Sequence, residues 1–287
     1  MGFGGFGFKS AQGGISGFQP AQGAATDTPG NPELQVGLQW YFKFDSATGL
    51  FTDSKTSTVL TTTNSPTTET GIIAQAMGVN DTDESRASST ASALLTAASE
   101  VNTPSEESTN VAYPFTVMGW FYSEVRSGPD NTGGWIVEEC ALGHNWLLMY
   151  YRAQLDPTAF LFGIKGNGSY VRTTTLATDQ AQDEWHCICF QSYGSNMNSS
   201  GVFTPHQNAK RIMLITGSAG SGAIAQNEVQ TCCNETLQAG TELKFCNAPN
   251  GDVNGRFDMV ARWNRILPES EILLYYNDSK GGVEPIM

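Results

Sequence analysis

The sequence predicts an all-β protein, one sandwich of two antiparallel sheets preceded by an extended Gly/Phe-rich arm. Three observations predict it. Strand-like runs recur at roughly 8–12-residue spacing between Gly, Asn, Asp and Pro, with no alternation of strands and helices. Residues 113–125, YPFTVMGWFYSEV, are apolar on both alternating faces, as a strand central in a sandwich must be. Residues 255–278, GRFDMVARWNRILPESEILLYYND, read as a closing strand followed by a helix laid beside it.

In chain order, residues 1–30 form a separate object, and the sandwich takes residues 31–287. The arm is Gly-rich yet punctuated by Phe3, Phe6, Phe8, Ile15 and Phe18. Glycine loses more conformational freedom on ordering than any other residue, so the arm should not fold by itself. A plain flexible linker spends no aromatics. Phe3, Phe6, Phe8 and Phe18 therefore read as pegs for pockets on a partner, with folding back onto the arm's own domain as the other reading.

Leu34–Phe44 then reads as an aromatic-rich strand, and Thr56–Thr70 as an exposed Thr-rich strand and loop. Gly71–Val79 reads as a strand, and Ser85–Ser108 as a small, polar loop around Leu94 and Leu95 with a weak helical piece. After Tyr113–Val125 come short strands at Gly133–Glu138, Trp146–Tyr151 and Phe160–Ile164. Asn167-Gly168 is a two-residue hairpin signal joining Leu161–Lys165 to Tyr170–Thr174. Strands at Glu184–Gln191, Lys210–Thr216 and Leu243–Cys246 complete the run. In the closing strand Phe257, Met259 and Ala261 should share one face and Asp258, Val260 and Arg262 the other. Pro268 suits the first turn of the helix, and Glu269 and Glu271 suit its electropositive end. The helix is expected over Glu269–Tyr276, with Ile272, Leu273, Tyr275 and Tyr276 on its apolar side.

The closing segment resembles the C-terminal signature of the laminin-G-like, concanavalin A-like lectin/glucanase superfamily. Gly255, Asp258, Trp263-Asn264-Arg265, Leu267, Glu271, Ile272 and Tyr275 carry that resemblance. It extends over residues 36–280 through Asp45, Asp53, the Phe115-Thr116 and Trp120 run, Trp185-His186 and Gly217. It implies a jelly-roll sandwich of the concanavalin A type. It also implies that a structural calcium is possible, for which Asp45, Asp53, Asp81, Asp83 and Asp258 are the available acids; solvated turn acids are the other reading, with Asp258 bonding the backbone of its own turn.

Composition narrows the function. The formal net charge is −13, which argues against duplex nucleic acid or an anionic membrane as partner. Charged residues are 15% of the chain, below the roughly 25% of an average soluble protein. No apolar run approaches the ~18 residues of a membrane-spanning helix, and the N-terminus does not read as a signal peptide. The six cysteines show no zinc-site spacing; Cys187 and Cys189 share a strand face and read as small hydrophobes, with disulfides as the alternative.

Glycanases of the superfamily need two carboxylates on one face, ~5–5.5 Å apart for a retaining mechanism. Glu138 and Glu139 are adjacent, so on a strand they point apart. His144, His186 and His206 come with no GxSxG elbow, and the Gly217–Gly222 run lacks the lysine of a phosphate loop. The expectation is therefore a non-enzymatic protein without a cofactor. Trp135, Trp146 and Tyr170 lie near loops and are candidate aromatic platforms for a glycan. The combination of arm and sandwich predicts a bacteriophage virion protein, whether capsid decoration, head fibre or tail appendage. It would be made in the host cytoplasm, oligomeric in the particle, held to other virion proteins by its arm, and displayed toward host-surface glycans. A cellular carbohydrate-binding or adhesion module is the alternative, and a glycan hydrolase the third reading.

Overall fold

The computed structural model describes residues 30–46, 48, 51–79, 85–97, 114–123, 134–141, 143–151, 159–166, 169–177, 184–192, 209–218, 220–230, 239–246 and 255–286. For 134–135, 141, 143–151, 159–166, 169–177, 209–211 and 225–230 it describes the backbone alone. The chain begins with α1 (Pro32–Gln35), β1 (Leu38–Phe42), β2 (Thr61–Thr63), β3 (Thr67–Thr70), β4 (Gln75–Val79), β5 (Arg86–Ser89) and β6 (Phe115–Ser123). It continues through β7 (Gly134–Ala141), β8 (Gly143–Tyr151), β9 (Ala159–Gly166), β10 (Ser169–Ala177), β11 (Glu184–Ser192) and β12 (Ala209–Thr216). It ends with β13 (Ala223–Gln230), β14 (Glu242–Phe245), β15 (Gly255–Trp263) and α2 (Glu269–Lys280).

The strands form two antiparallel sheets. One runs β13-β12-β11-β6-β15-β4-β3, with β1 also paired to β15; the other runs β10-β9-β8-β7-β14-β5-β2. This is the predicted sandwich. β6 sits inside the first sheet, between β11 and β15, which explains why both its faces are apolar. Phe115, Val117 and Phe121 point between the sheets, where they meet Val137, Leu243 and Phe245. Met118 and Trp120 point outward, beneath Tyr275, Tyr276 and Leu267. The first sheet thus buries both surfaces, one under the second sheet and one under α2.

β11 shows the same division. Ile188 and Phe190 join the inter-sheet core, while Cys187 and Cys189 pack with the α2 layer. Burial pushes the Cys187 thiol well above its ordinary pKa. The hairpin expected at 167–168 appears as the pairing of Gly166 with Ser169, although the two turn residues lie outside the described ones.

Several local expectations need correction. The predicted strand Leu34–Phe44 begins as a single helical turn, α1, with Pro32 at its start, and the strand proper opens at Leu38. Gly37 separates the two at φ +71°, and a Cβ there would lie 2.7 Å from Asn264 Oδ1. Residues 71–74 form a turn rather than the start of β4, with Ala74 in the left-handed region at φ 53°. Within Ser85–Ser108 strand β5 stands where a loop was expected, while the helical piece expected there is a short 3₁₀ turn at Ser92–Leu94. In β15 the strict alternation fails, because the register slips between Asp258 and Ala261 and Met259 has φ 48°. Phe257 and Val260 therefore face the inter-sheet core, whereas Met259 and Ala261 face α2.

The closing helix is longer than predicted. Its buried residues Ile272, Tyr275, Tyr276 and Ser279 follow the i, i+3, i+4, i+7 stripe of a helix lying on a sheet, which carries it to Lys280. Pro268 stands just outside it with extended backbone, and the helix opens on Glu269 and Glu271. Trp263 Nε1 donates to Leu34 O at 2.7 Å, so β15, α1 and α2 meet over one indole. Asn31 Nδ2 donates to Asp278 Oδ2 at 2.7 Å and to Pro285 O at 3.0 Å, which ties the two ends of the sandwich together.

Candidate functional site

A ligand cannot enter between the sheets at β6. The void lined there by Val117, Phe121, Val137 and Phe257 holds about 20 Å³, on the scale of one water molecule, and its walls are apolar. Among the described residues, an open depression lies instead at the β3 edge. It spans about 510 Å³ and is lined by Thr68, Glu69, Thr70, Ala74 and Gln75.

The local sequence builds this depression in a definite way. Among the described residues β3 is the last strand of its sheet and pairs with β4 alone, so one of its sides is open to them. Its residues, TTET, are exposed or half-buried and carry hydroxyls and one carboxylate instead of an apolar row. Thr67 Oγ1 donates to Glu69 Oε1 at 2.9 Å, and Thr68 Oγ1 donates to Ser46 O at 3.0 Å. Across the turn, Gln75 N donates to Asp45 Oδ1 at 2.9 Å.

The turn itself is held from below by Asp258. Its Oδ2 accepts the backbone N–H of Ile72 at 2.6 Å and of Ile73 at 3.2 Å. Gly71 permits the approach, since a Cβ there would lie 2.5 Å from Asp258 Oδ2 and 2.6 Å from Gln75 O. Asp258 is fully buried, and its Oδ1 has no partner. Burial raises its pKa well above the usual carboxylate range, and the charges of Asp45 and Glu284 raise it further; the two N–H bonds oppose them. Burial also raises the pKa of Asp45. Glu284 is bound to Lys43 Nζ at 3.2 Å and accepts from the Tyr41 hydroxyl.

The sequence-predicted residues fall as follows. Phe3, Phe6, Phe8 and Phe18 lie outside the described residues. Trp135, Trp146 and Tyr170 lie on β7, β8 and β10, and their side chains are outside the described ones. By register Trp146 stands opposite Ile164, which stands opposite Val171, so Tyr170 is one rung out of step. Trp135 stands opposite Met149, farther along the ladder. The three therefore do not share a cross-strand row.

Of the acids considered for calcium, Asp81 and Asp83 lie outside the described residues. Asp53 accepts N–H bonds from Tyr41 and Thr56 and closes its own loop. Asp258 bonds the 71–74 turn rather than its own, a correction explained by the pairing of β15 with β4, which follows that turn. Among the described residues, no group of three or more His, Cys, Asp or Glu could hold a metal ion. Glu138 and Glu139 are both buried. Glu138 stands opposite Lys244, with its Oε1 3.8 Å from Nζ, while Glu139 stands opposite the core residue Leu243 and accepts the Thr96 N–H at 2.9 Å. They serve different sides of β7. His186 is buried, His144 lies on β8 with its side chain undescribed, and His206 lies outside the described residues.

The sequence reading missed Thr68, Glu69, Thr70 and Gln75 as a set. The available signal was the run Thr61–Thr70, in which hydroxyls occupy both faces of a strand-forming stretch and leave no apolar row to bury.

No family model matches the sequence, and no curated protein matches it. Solved structures do match in fold. The binding domain of a Paraclostridial mosquitocidal protein aligns with a TM-score of 0.55 and 11% identity, covering 84% of this chain and 52% of that one. The binding domain of botulinum neurotoxin DC, in complex with rat synaptotagmin II, gives 0.55 and 12%, covering 85% and 52%. The same domain in complex with SialylT gives 0.54 and 11%, covering 85% and 52%. This chain spans about half the length of the chains it matches. The likeness establishes the β-sandwich fold.

Proposed function

We propose that this protein is a non-enzymatic binding module whose ligand site is the polar depression at the β3 edge. The observation that carries this is the lining: Thr68, Thr70, Gln75 and Glu69 offer hydroxyl, amide and carboxylate groups on an open surface. Hydroxyls and amides both donate and accept, which suits the hydroxyls of a glycan. Among the described residues the depression holds one carboxylate, Glu69, short of the pair a glycanase needs, and Glu138 and Glu139 are buried with separate partners. Binding without turnover is therefore the chemistry the described groups support. That fold neighbours are binding domains, one of them in complex with SialylT, agrees with this reading.

The finer reading places the module on a bacteriophage virion, as a capsid decoration, head fibre or tail appendage of the laminin-G-like type. In it, residues 1–30 anchor the sandwich to other virion proteins through Phe3, Phe6, Phe8 and Phe18, and the depression faces host-surface glycans. The closing segment and the aromatic pegs of the arm support it. A cellular adhesion module would use the same depression but no particle anchor.

The test is a glycan array probed with the full chain. We expect binding to a subset of oligosaccharides with no sugar release. Replacing Thr68, Thr70 and Gln75 together by Ala should weaken binding at least tenfold while the unfolding temperature holds. Release of reducing sugar, or binding unaffected by the triple substitution, would overturn the reading. A chain lacking residues 2–30 should stay folded yet fail to appear in purified particles.

A further inference from the structure

We infer that the depression selects uncharged, hydroxyl-rich glycans and rejects sialylated or otherwise anionic ones. This rests on the depression being the ligand site, and it goes further by assigning the chemical class of the ligand.

The argument is the balance of charge at the rim. Among the described residues its lining includes one carboxylate, Glu69, and no Lys, Arg or His. Thr67 occupies Glu69 Oε1, which leaves Oε2 to accept from an incoming hydroxyl. A second acid, Asp45, is bonded to the Gln75 N–H at the edge of the depression. The cation that acts on Asp45 is Lys43, and its ammonium is already paired with Glu284 Oε2 at 3.2 Å. The chain as a whole carries a formal charge of −13, so no long-range field offsets the local one.

A neutral sugar meets acceptors that match its hydroxyl donors. A sialic acid carboxylate meets Glu69 within a few ångströms and finds no guanidinium or ammonium in the lining. Like charges at that range on a partly desolvated surface separate two otherwise equal ligands by roughly tenfold or more, less at high salt.

The experiment uses the full chain on paired oligosaccharides, each neutral glycan beside its sialylated counterpart, at low and high salt. We expect each neutral member that binds to do so at least tenfold more tightly than its sialylated partner. Glu69→Gln should narrow that gap to about threefold, and Glu69→Lys should reverse it, with circular dichroism and unfolding temperature unchanged. Added salt should also narrow the gap. Sialylated members that bind as tightly as neutral ones overturn the inference while leaving the depression as the site. A gap that Glu69→Gln leaves intact also overturns it, because the selectivity then arises elsewhere. Failure of every glycan to bind overturns the site itself, and the inference with it.

Discussion

The interior of the first sheet beneath α2 and its β3 edge are built on opposite principles. At β15 and α2 the chain buries Trp263, Tyr275, Tyr276, Ile272 and Leu267, and it ties Trp263 Nε1 to Leu34 O. At the β3 edge it leaves Thr67–Thr70 unpaired on one side among the described residues and holds the adjoining turn through carboxylates. The interior is stabilised by apolar area and the edge by a few directed hydrogen bonds to backbone N–H groups. Substitutions at the first should therefore cost stability, and those at the second should cost binding.

The largest effect is expected in the apolar interior. Trp263→Ala removes a fully buried indole, its hydrogen bond and its edge contact with Tyr275 at 6.1 Å. A loss of about 3–5 kcal/mol is expected, or a fall of roughly 6–20 °C in unfolding temperature by calorimetry. A fall of only a degree or two would erase the contrast between interior and edge.

Asp258 lies on interior strand β15 and holds the turn beside the edge, so its substitutions sharpen the comparison. Asp258→Ala leaves the Ile72 and Ile73 N–H groups without their acceptor, at about 1–3 kcal/mol. Asp258→Asn keeps an acceptor and removes a buried charge near Asp45 and Glu284. The sign with pH follows from the raised pKa. A carboxyl that holds its proton more tightly folded than unfolded contributes stability fully below its unfolded value of 3.8, and that contribution is lost as pH rises through the higher folded pKa. The stability of Asp258→Asn relative to the natural protein should therefore rise with pH from about 4 upward and level off beyond the folded pKa. Denaturant titrations at several pH values measure it, and a pH-independent difference would refute the assignment.

The smallest effect on stability is expected at the depression. Thr70→Ala should shift stability by less than about 0.5 kcal/mol, as exposed positions usually do. Its glycan affinity, measured on the same preparation, should drop several-fold. A stability loss comparable to that of Trp263→Ala would mean that the edge is part of the core.

The legible parts of the fold were those in which one local pattern met one environment. The doubly apolar β6, the Cys187/Cys189 face of β11 and the Asn167-Gly168 hairpin could be read because side-chain period and turn chemistry are local properties. β5 was missed because RASS is small and polar, and its strand state comes from pairing with both β14 and β2. The depression was only half legible. The threonine run announced an exposed strand, but nothing local says that Gln75 and Asp45 stand beside it.

The sequence by itself determined that this is an all-β chain with a two-faced central strand, a closing strand and a helix lying on it, because those follow from residue order at a period of two or near four. Tertiary structure alone decided where the carboxylates work. Asp258 is separated from Ile72 by 186 positions, and it reaches that turn because β4 pairs beside β15 and Gly71 leaves room for its oxygen. A hydrogen bond between distant segments depends on how the whole sandwich closes, and no period in the chain encodes that distance.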